Sequence, residues 1–316
     1  MREKPLTRNY VTQHKNTILV YIILAGLFIF ASLATDVFLS SRNLKNVLGQ
    51  AVVLGLVATG QTFVILGGGI DLSVGSIISL TSCLATGLMM GRDPLALPVV
   101  GLVLVIALLI GVVNGLLIVK TGIPPLIVTL GMMEILQGIV LMYTDAPYGE
   151  IAPSLSFIAW GQIGGVPFSI LFLGILIGFG IFVLKRLPVG RHLYAIGGNE
   201  ETARLSAINT GRIKIYTYMT CSFMAGLCGF FMATRMGMGD PVGGEPFMLD
   251  SLVPVLIGGT SLVGGKGGLV GTLGGIFIIT TLHNALNLLD VSGYWQWIIQ
   301  GFIILVAVAI YIKEKI

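Results

Sequence analysis

The strongest constraint on this chain is a succession of apolar runs, each about one bilayer thick, joined by short polar links. Asn16 to Thr35 and Asn46 to Ile70 carry no charge. Eight more runs follow: Ser76 to Gly91, Leu95 to Val119, Leu126 to Tyr143, Val166 to Leu184, Ile215 to Thr234, Asp250 to Val263, Gly267 to Leu289 and Tyr294 to Ile312. Crossing the hydrocarbon layer takes roughly 20 apolar residues of helix, and in lipid only helices and closed barrels satisfy their own backbone groups. The expected fold is an all-α polytopic membrane protein with about ten transmembrane helices.

Two of these runs are interrupted by glycine. GGGIDLSVG, Gly67 to Gly75, closes the second run, and GGTSLVGGKGG cuts the eighth, which is short and also holds Pro254. Such pieces either cross or re-enter. Ser32-Leu33-Ala34 resembles a signal-peptidase site, but its apolar run is long and more spans follow, so a retained first helix is expected. Tyr294, Trp295 and Trp297 suit an interfacial belt. Composition agrees: 10% of residues are charged and mean hydropathy is +0.97, where a soluble domain would carry about a quarter charged residues. Forty-four glycines suit close helix packing.

The domain reading is a basic arm, 1–15, and one transmembrane domain, 16–316. The domain is interrupted by a polar island at 185–214 that holds six of the eighteen Lys and Arg residues. Asn199 reads as an N-cap, Glu200 and Glu201 suit the first turn of a helix, and Gly211 can close its far end. Leu205 and Ile208, with Ala203 and Ala207 nearby, make a narrow apolar strip. About ten residues is too short for a stable isolated helix, so the strip packs either on this chain's own membrane domain or on another protein.

Lys and Arg collect on cytoplasmic loops. If every run crosses and the N-terminus is inside, the inner side holds Arg2, Lys4, Arg8, Lys15, Lys120, the six of the island, Lys266, Lys313 and Lys315. The outer side holds only Arg42, Lys45, Arg92 and Arg235. That bias argues for both termini and the island on the cytoplasmic side, and against a nucleic-acid partner despite the net charge of +4.

One stretch has an internal echo: Ile65 to Gly75 (ILGGGIDLSVG) resembles Leu256 to Gly265 (LIGGTSLVGG). Paired Gly-interrupted segments in two halves mark a binding or conduction site in transporters, or else allow tight helix crossings. Gln61, Gly67, Gly68, Gly69, Asp71, Ser73, Asn114, Glu134, Gly258, Gly259 and Thr260 form the candidate translocation path. Glu134 lies inside an apolar run and is the leading candidate for a buried carboxylate; Asp71, at a segment edge, also reads as an N-cap.

No catalytic chemistry is visible. A phosphate loop needs Gly six residues before its Lys and Ser or Thr after it, and around Lys266 those places hold Thr260 and Gly267. Cys83, Cys221, Cys228, His14, His192 and His283 form no metal-ligand spacing.

Four ordered motifs, QTFVILGGGIDLSVGSI (Gln61 to Ile77), NGLLIVKTGIPPLIVTLGMM (Asn114 to Met133), GRHLYAIGGNEETARLSAINTGRIK (Gly190 to Lys214) and LIGGTSLVGGKGGLVGTLGG (Leu256 to Gly275), make the chain resemble a permease subunit of the ribose-type sugar ABC importers. That family also serves xylose, arabinose, galactose and autoinducer-2. The resemblance implies a prokaryotic inner or plasma membrane location and a second permease subunit, identical or paralogous. It also implies a separate ABC ATPase carrying ATP and Mg, and an extracytoplasmic binding protein that delivers the sugar. No cofactor is expected on this chain. The island becomes a coupling element, with Asn199, Glu200, Ala203, Arg204, Ser206, Ala207 and Ile208 as its contact set. Two positions depart from the family pattern: Ala207 stands where Gly is usual, expected to be a mild change on a helix, and Glu134 stands where an uncharged residue is usual. A proton-coupled secondary transporter using Glu134 and Asp71 is the competing reading, and nucleosides or branched-chain amino acids are the competing solutes.

Overall fold

The computed structural model describes residues 15–313, so the basic arm lies outside the described residues except for Lys15. All ten apolar runs become helices. The first half comprises α1 (Lys15–Ala34), α2 (Ser41–Leu66), α3 (Val74–Met89), α4 (Ala96–Thr121) and α5 (Pro125–Tyr143). A short α6 (Ser156–Trp160) precedes α7 (Phe168–Arg186), and the island holds α8 (Pro188–Gly198) and α9 (Glu200–Leu205). Then come α10 (Thr210–Met236), α11 (Phe247–Asp250), α12 (Leu252–Ile257), α13 (Leu269–Leu288) and α14 (Gly293–Lys313).

Among the described residues, seven helices are long and apolar enough to cross a membrane. The seven fall three short of the expected ten: two runs give only short apolar helices, Val74–Met89 and Phe247–Ile257, and the last run, α14, is not among the seven. At about 1.5 Å per residue the 16-residue α3 is too short for the full hydrocarbon layer. The Phe247–Ile257 piece is broken at Ser251 for a local reason. Pro254 is tolerated in the first turn of α12, but its ring would collide with the Asp250 carbonyl in a continuous helix.

One small sheet qualifies the all-α expectation. In the loop after α5, β1 (Gln162–Ile163) pairs antiparallel with β2 (Val166–Pro167). The turn between them is Gly164-Gly165, both at positive φ, as a two-residue hairpin of the I′ type demands.

The core is built around α2, whose residues from Ala51 to Leu66 are all buried. α10 lies across it and also packs on α3 and α4. Glycine permits these approaches: a Cβ at Gly60 would lie 2.8 Å from the Cys221 Cα, and one at Gly111 would lie 2.7 Å from the Met219 Cα. This is the small-residue packing that holds helices together where lipid removes the hydrophobic drive. The start of α2 is tied to α13 by a reciprocal amide pair. Asn43 Nδ2 donates to Asn284 Oδ1 at 2.9 Å and Asn284 Nδ2 donates back to Asn43 Oδ1 at 2.8 Å.

Helix ends gather at two faces. On one, the loop after α5 is pinned across α3 and α10: the Tyr148 and Gly239 backbones exchange hydrogen bonds, and the Gly91 and Ile151 amides donate to Glu150 and Gly237 carbonyls. Arg92, Arg235 and Lys45, which bonds Gln162, lie at this end. At the other face, the ends of α2, α4 and α12 meet the island.

Candidate functional site

The sequence echo has a physical meaning at the ends of α2 and α12. In the first half Gly68 takes φ +78°, its amide donates to the Ile65 carbonyl, and the Gly69 amide donates to the Val64 carbonyl. In the second half Gly259 takes φ +83°, its amide donates to Leu256, and the Thr260 amide donates to Val255. Both helices therefore stop in the same Schellman motif, with glycine at the left-handed position. The first ending meets the loop that follows the second: the Gly265 amide donates to the Leu66 carbonyl at 3.0 Å, and Gly197 at the end of α8 packs against Leu66 and Gly264–Gly265. Tyr194 of α8 adds a hydroxyl bond to the Gly267 carbonyl at 2.9 Å. Gly68 and Gly258 lie close to the backbones of Val263 and Gly271, Gly67 and Gly69 lie against the Leu193 and Tyr218 side chains, and Thr260 Oγ1 accepts from the Gly268 amide at 3.1 Å.

Beyond the first break, four of the expected path residues form one network that is enclosed by the chain itself. Gln61, Asp71, Ser73 and Asn114 are each 0% exposed. Asp71 Oδ1 accepts from the Ser73 amide at 3.0 Å and from Ser73 Oγ at 2.6 Å. Asn114 Nδ2 donates to Ser73 Oγ, and Gln61 Nε2 donates to the Asp71 carbonyl. Cys221 donates to Gln61 Oε1 at 3.4 Å, which binds α10 into the same cluster. Asp71 is therefore not the N-cap of α3, which is Ser73; its carboxylate closes an Asx-turn just before that helix, inside the protein.

Glu134 is not the buried carboxylate expected. It is exposed on α5 rather than buried, and the buried carboxylate is Asp71. Gly131 and Gly138 flank it on the same exposed face, with nothing within 4 Å of a Cβ at either.

In the island, Asn199 is the N-cap expected, its side chain accepting from the Thr202 amide at 2.8 Å. The helix does not run to Gly211. It stops at Leu205, because Ala207 takes φ +61° and the Ala207 and Ile208 amides donate to the Arg204 and Ala203 carbonyls, a third Schellman ending. Asn209 then caps α10 through the Arg212 amide, placing Gly211 in that helix's first turn. The apolar strip divides. Ala203 is 3% exposed and Ile208 packs on the core, whereas Leu205 is 79% exposed at the tip. Asn199, Glu200, Arg204, Ser206 and Ala207 share that exposed tip, which Glu201–Arg204 and Glu200–Lys214 ion pairs brace. Leu205 was missing from the expected contact set. Its signal was the same i, i+3 spacing that pointed to Ile208.

Ala207 is consequently not on a helix interior. An alanine in the left-handed region costs about 1 kcal/mol relative to glycine. Ala207→Gly is expected to slow exchange of the Ile208 amide by up to about fivefold, the equivalent of that 1 kcal/mol, in hydrogen-exchange mass spectrometry.

Matched helix breaks inside a helical membrane protein are a pattern that transport proteins use. The comparisons name the kind. The family model for the permease component of branched-chain amino acid transport systems matches residues 43–308. The chain is 39% identical over 293 residues to a ribose import permease protein of Haemophilus influenzae, covering 91% of this chain and 90% of that one. It is 40% identical over 305 residues to the ribose import permease protein of Bacillus subtilis, covering 92% of each. A D-allose transport system permease protein of Escherichia coli is 36% identical over 293 residues, covering 92% and 89%. The chain belongs to this family of import permeases, and within it to the ribose-type ABC branch whose motifs it carries. It is a transport subunit rather than an enzyme. No solved structure matches it significantly.

Proposed function

We propose that this chain is the membrane permease of an ATP-driven importer for a ribose-like monosaccharide. The observation that carries this is the similarity to ribose permeases over nine-tenths of both chains. The broader family description mentions branched-chain amino acids, but the ribose, allose and xylose relatives match across nearly the whole chain and favour a sugar. The solute arrives from an extracytoplasmic binding protein, and ATP and Mg are held by a separate ABC ATPase. In this reading α14 also crosses, and α3 and the α11–α12 segment add to the long helices as partly re-entrant elements, giving ten. The island face, which holds most of the Lys and Arg, is cytoplasmic, as are both termini, in a prokaryotic inner or plasma membrane.

Coupling runs through the island. α9 is braced by its ion pairs and presents Leu205 outward, so an ATPase groove that takes this leucine can push on α8, whose Gly197 touches the first helix break and the loop after the second. ATP can drive alternating access only by binding the two states with different affinity. Burying one leucine contributes about 1.5–3 kcal/mol. Leu205→Asp should therefore weaken docking by roughly tenfold to a hundredfold and cut ATP-driven uptake in proteoliposomes accordingly. Aspartate at Ala203 is a poor test, since it would bury a charge. Uptake undiminished in Leu205→Asp would remove the island tip from the mechanism.

The second permease subunit, a copy or a paralogue, sits against the Gly131–Glu134–Gly138 face of α5, and Glu134 borders the path between the two. A carboxylate turned to lipid at mid-span would cost about 2.5 kcal/mol or more. Under the ATP-driven reading Glu134→Gln keeps uptake within about fivefold, the effect of one altered hydrogen bond. Abolished uptake with an intact ATPase would instead favour proton coupling.

A further inference from the structure

At the face opposite the island, a cavity of about 390 Å³ opens between α2, α6, α10, α11 and α13. Most of its wall is apolar, with Trp160 and Phe247 as aromatic faces; its polar side chains are Gln50, Arg235, Asp250, His283 and Thr280, whose hydroxyl donates to the Ile276 carbonyl. No ligand-binding role for it follows from the sequence motifs or from the island.

Arg235 and Asp250 are positioned by their neighbours and form no ion pair with each other. Arg235 takes part in no ion pair among the described residues, where the two ion pairs both lie in the island. Its guanidinium passes over Gly49: a Cβ there would meet Nη1 at 2.9 Å, so the absent side chain lets it run along α2. Asp250 Oδ1 accepts from Gln300 Nε2 of α14, which orients the carboxylate. The wall therefore offers donors on Arg235, Gln50 and His283 and an oriented acceptor on Asp250.

The balance of charge selects the ligand. The Arg235 cation and the Asp250 anion offset each other, so an anion would face the carboxylate and a cation the guanidinium. An uncharged molecule with adjacent hydroxyls, each both donor and acceptor, satisfies both at once. Its C–H face can lie on Trp160 or Phe247. The volume falls in the lower part of the roughly 300–1,000 Å³ range of small-molecule sites, which are likewise apolar with a few placed polar groups.

We propose that this cavity is a solute site within the single permease chain that takes a neutral polyhydroxylated molecule of monosaccharide size. The inference rests on the sugar-import reading, and the test separates the two. Trp160, Trp295 and Trp297 are the three tryptophans of the chain, so Trp295→Phe with Trp297→Phe leaves Trp160 alone as a fluorescent reporter in the wall. The permease–ATPase complex carrying that pair is purified without binding protein and titrated with D-ribose, D-xylose and D-allose. Uptake is measured on the same complex in proteoliposomes with its binding protein. The expected result is a saturable change in Trp160 emission for a sugar that is also imported. Arg235→Gln or Asp250→Asn, checked for unchanged thermal unfolding, should raise the half-saturating concentration by about tenfold or more, the scale of one charge-assisted hydrogen bond. Uptake without any sugar-dependent emission change, or a change produced only by added phospholipid, overturns the cavity site and leaves the import reading intact. Binding without uptake supports the site and rejects the import reading. The absence of both rejects both.

Discussion

Gly197→Val is expected to abolish the folded permease, whereas Gly198→Val next to it is expected to be tolerated. A Cβ at Gly197 would fall on the Leu66 carbonyl and crowd the Gly265 amide, which donates to that same carbonyl. Backbone cannot move aside as a flexible side chain can, so the end of α8 would be levered off the first helix break and the loop after the second. Overpacking of a tight contact costs about 1–3 kcal/mol and more where backbone is struck, and here one substitution strikes two segments. At Gly198 nothing lies within 4 Å of a Cβ. Thermal unfolding of the two variants in detergent decides the matter: equal stability would mean that the three-way backbone contact does not hold the island to the membrane domain.

Asp71→Ala should be nearly as damaging. It leaves the Ser73 amide and hydroxyl without their shared acceptor in a fully buried place. Each unsatisfied buried group costs about 1–3 kcal/mol, so roughly 2–5 kcal/mol is expected from the pair. Asp71→Asn retains an acceptor oxygen and should recover most of this. A thermal melt in which alanine and asparagine variants coincide with the parent would show that the turn into α3 is held by something other than Asp71.

These two sites mark where sequence reasoning reached and where it stopped. Apolar run length located the ten apolar helical segments but not α6 or α8, and the Asn199 cap was visible because a cap depends on a few adjacent residues. The echo was visible too, and it proved to be one helix-ending motif used twice. Depth was not visible. Asp71 stands at the edge of an apolar run, yet α2 and α3 break inside the protein, so that edge is an interior position. Glu134 stands mid-run, but a helix at the rim of the bundle turns half its residues outward, and no pattern in α5 told which half. The island helix ended early for a comparable reason. Ile208 packs inward and Asn209 starts α10, and together they demand a left-handed residue at 207 although the sequence offers alanine there and glycine only at 211. The loop after α5 showed no periodicity, since its order comes from backbone bonds to Thr86, Gly91, Gly237 and Gly239, which are distant in the chain.

The central claim is that an ATPase docks on the island through its exposed tip. The direct measurement is purification of the tagged protein from its native membrane in mild detergent, with mass spectrometry of what accompanies it, for the parent and for Leu205→Asp side by side. The account predicts that an ABC ATPase accompanies the parent and is lost or strongly depleted in the variant, while both permeases unfold at the same temperature. An ATPase recovered equally with both proteins, or with neither, would contradict it.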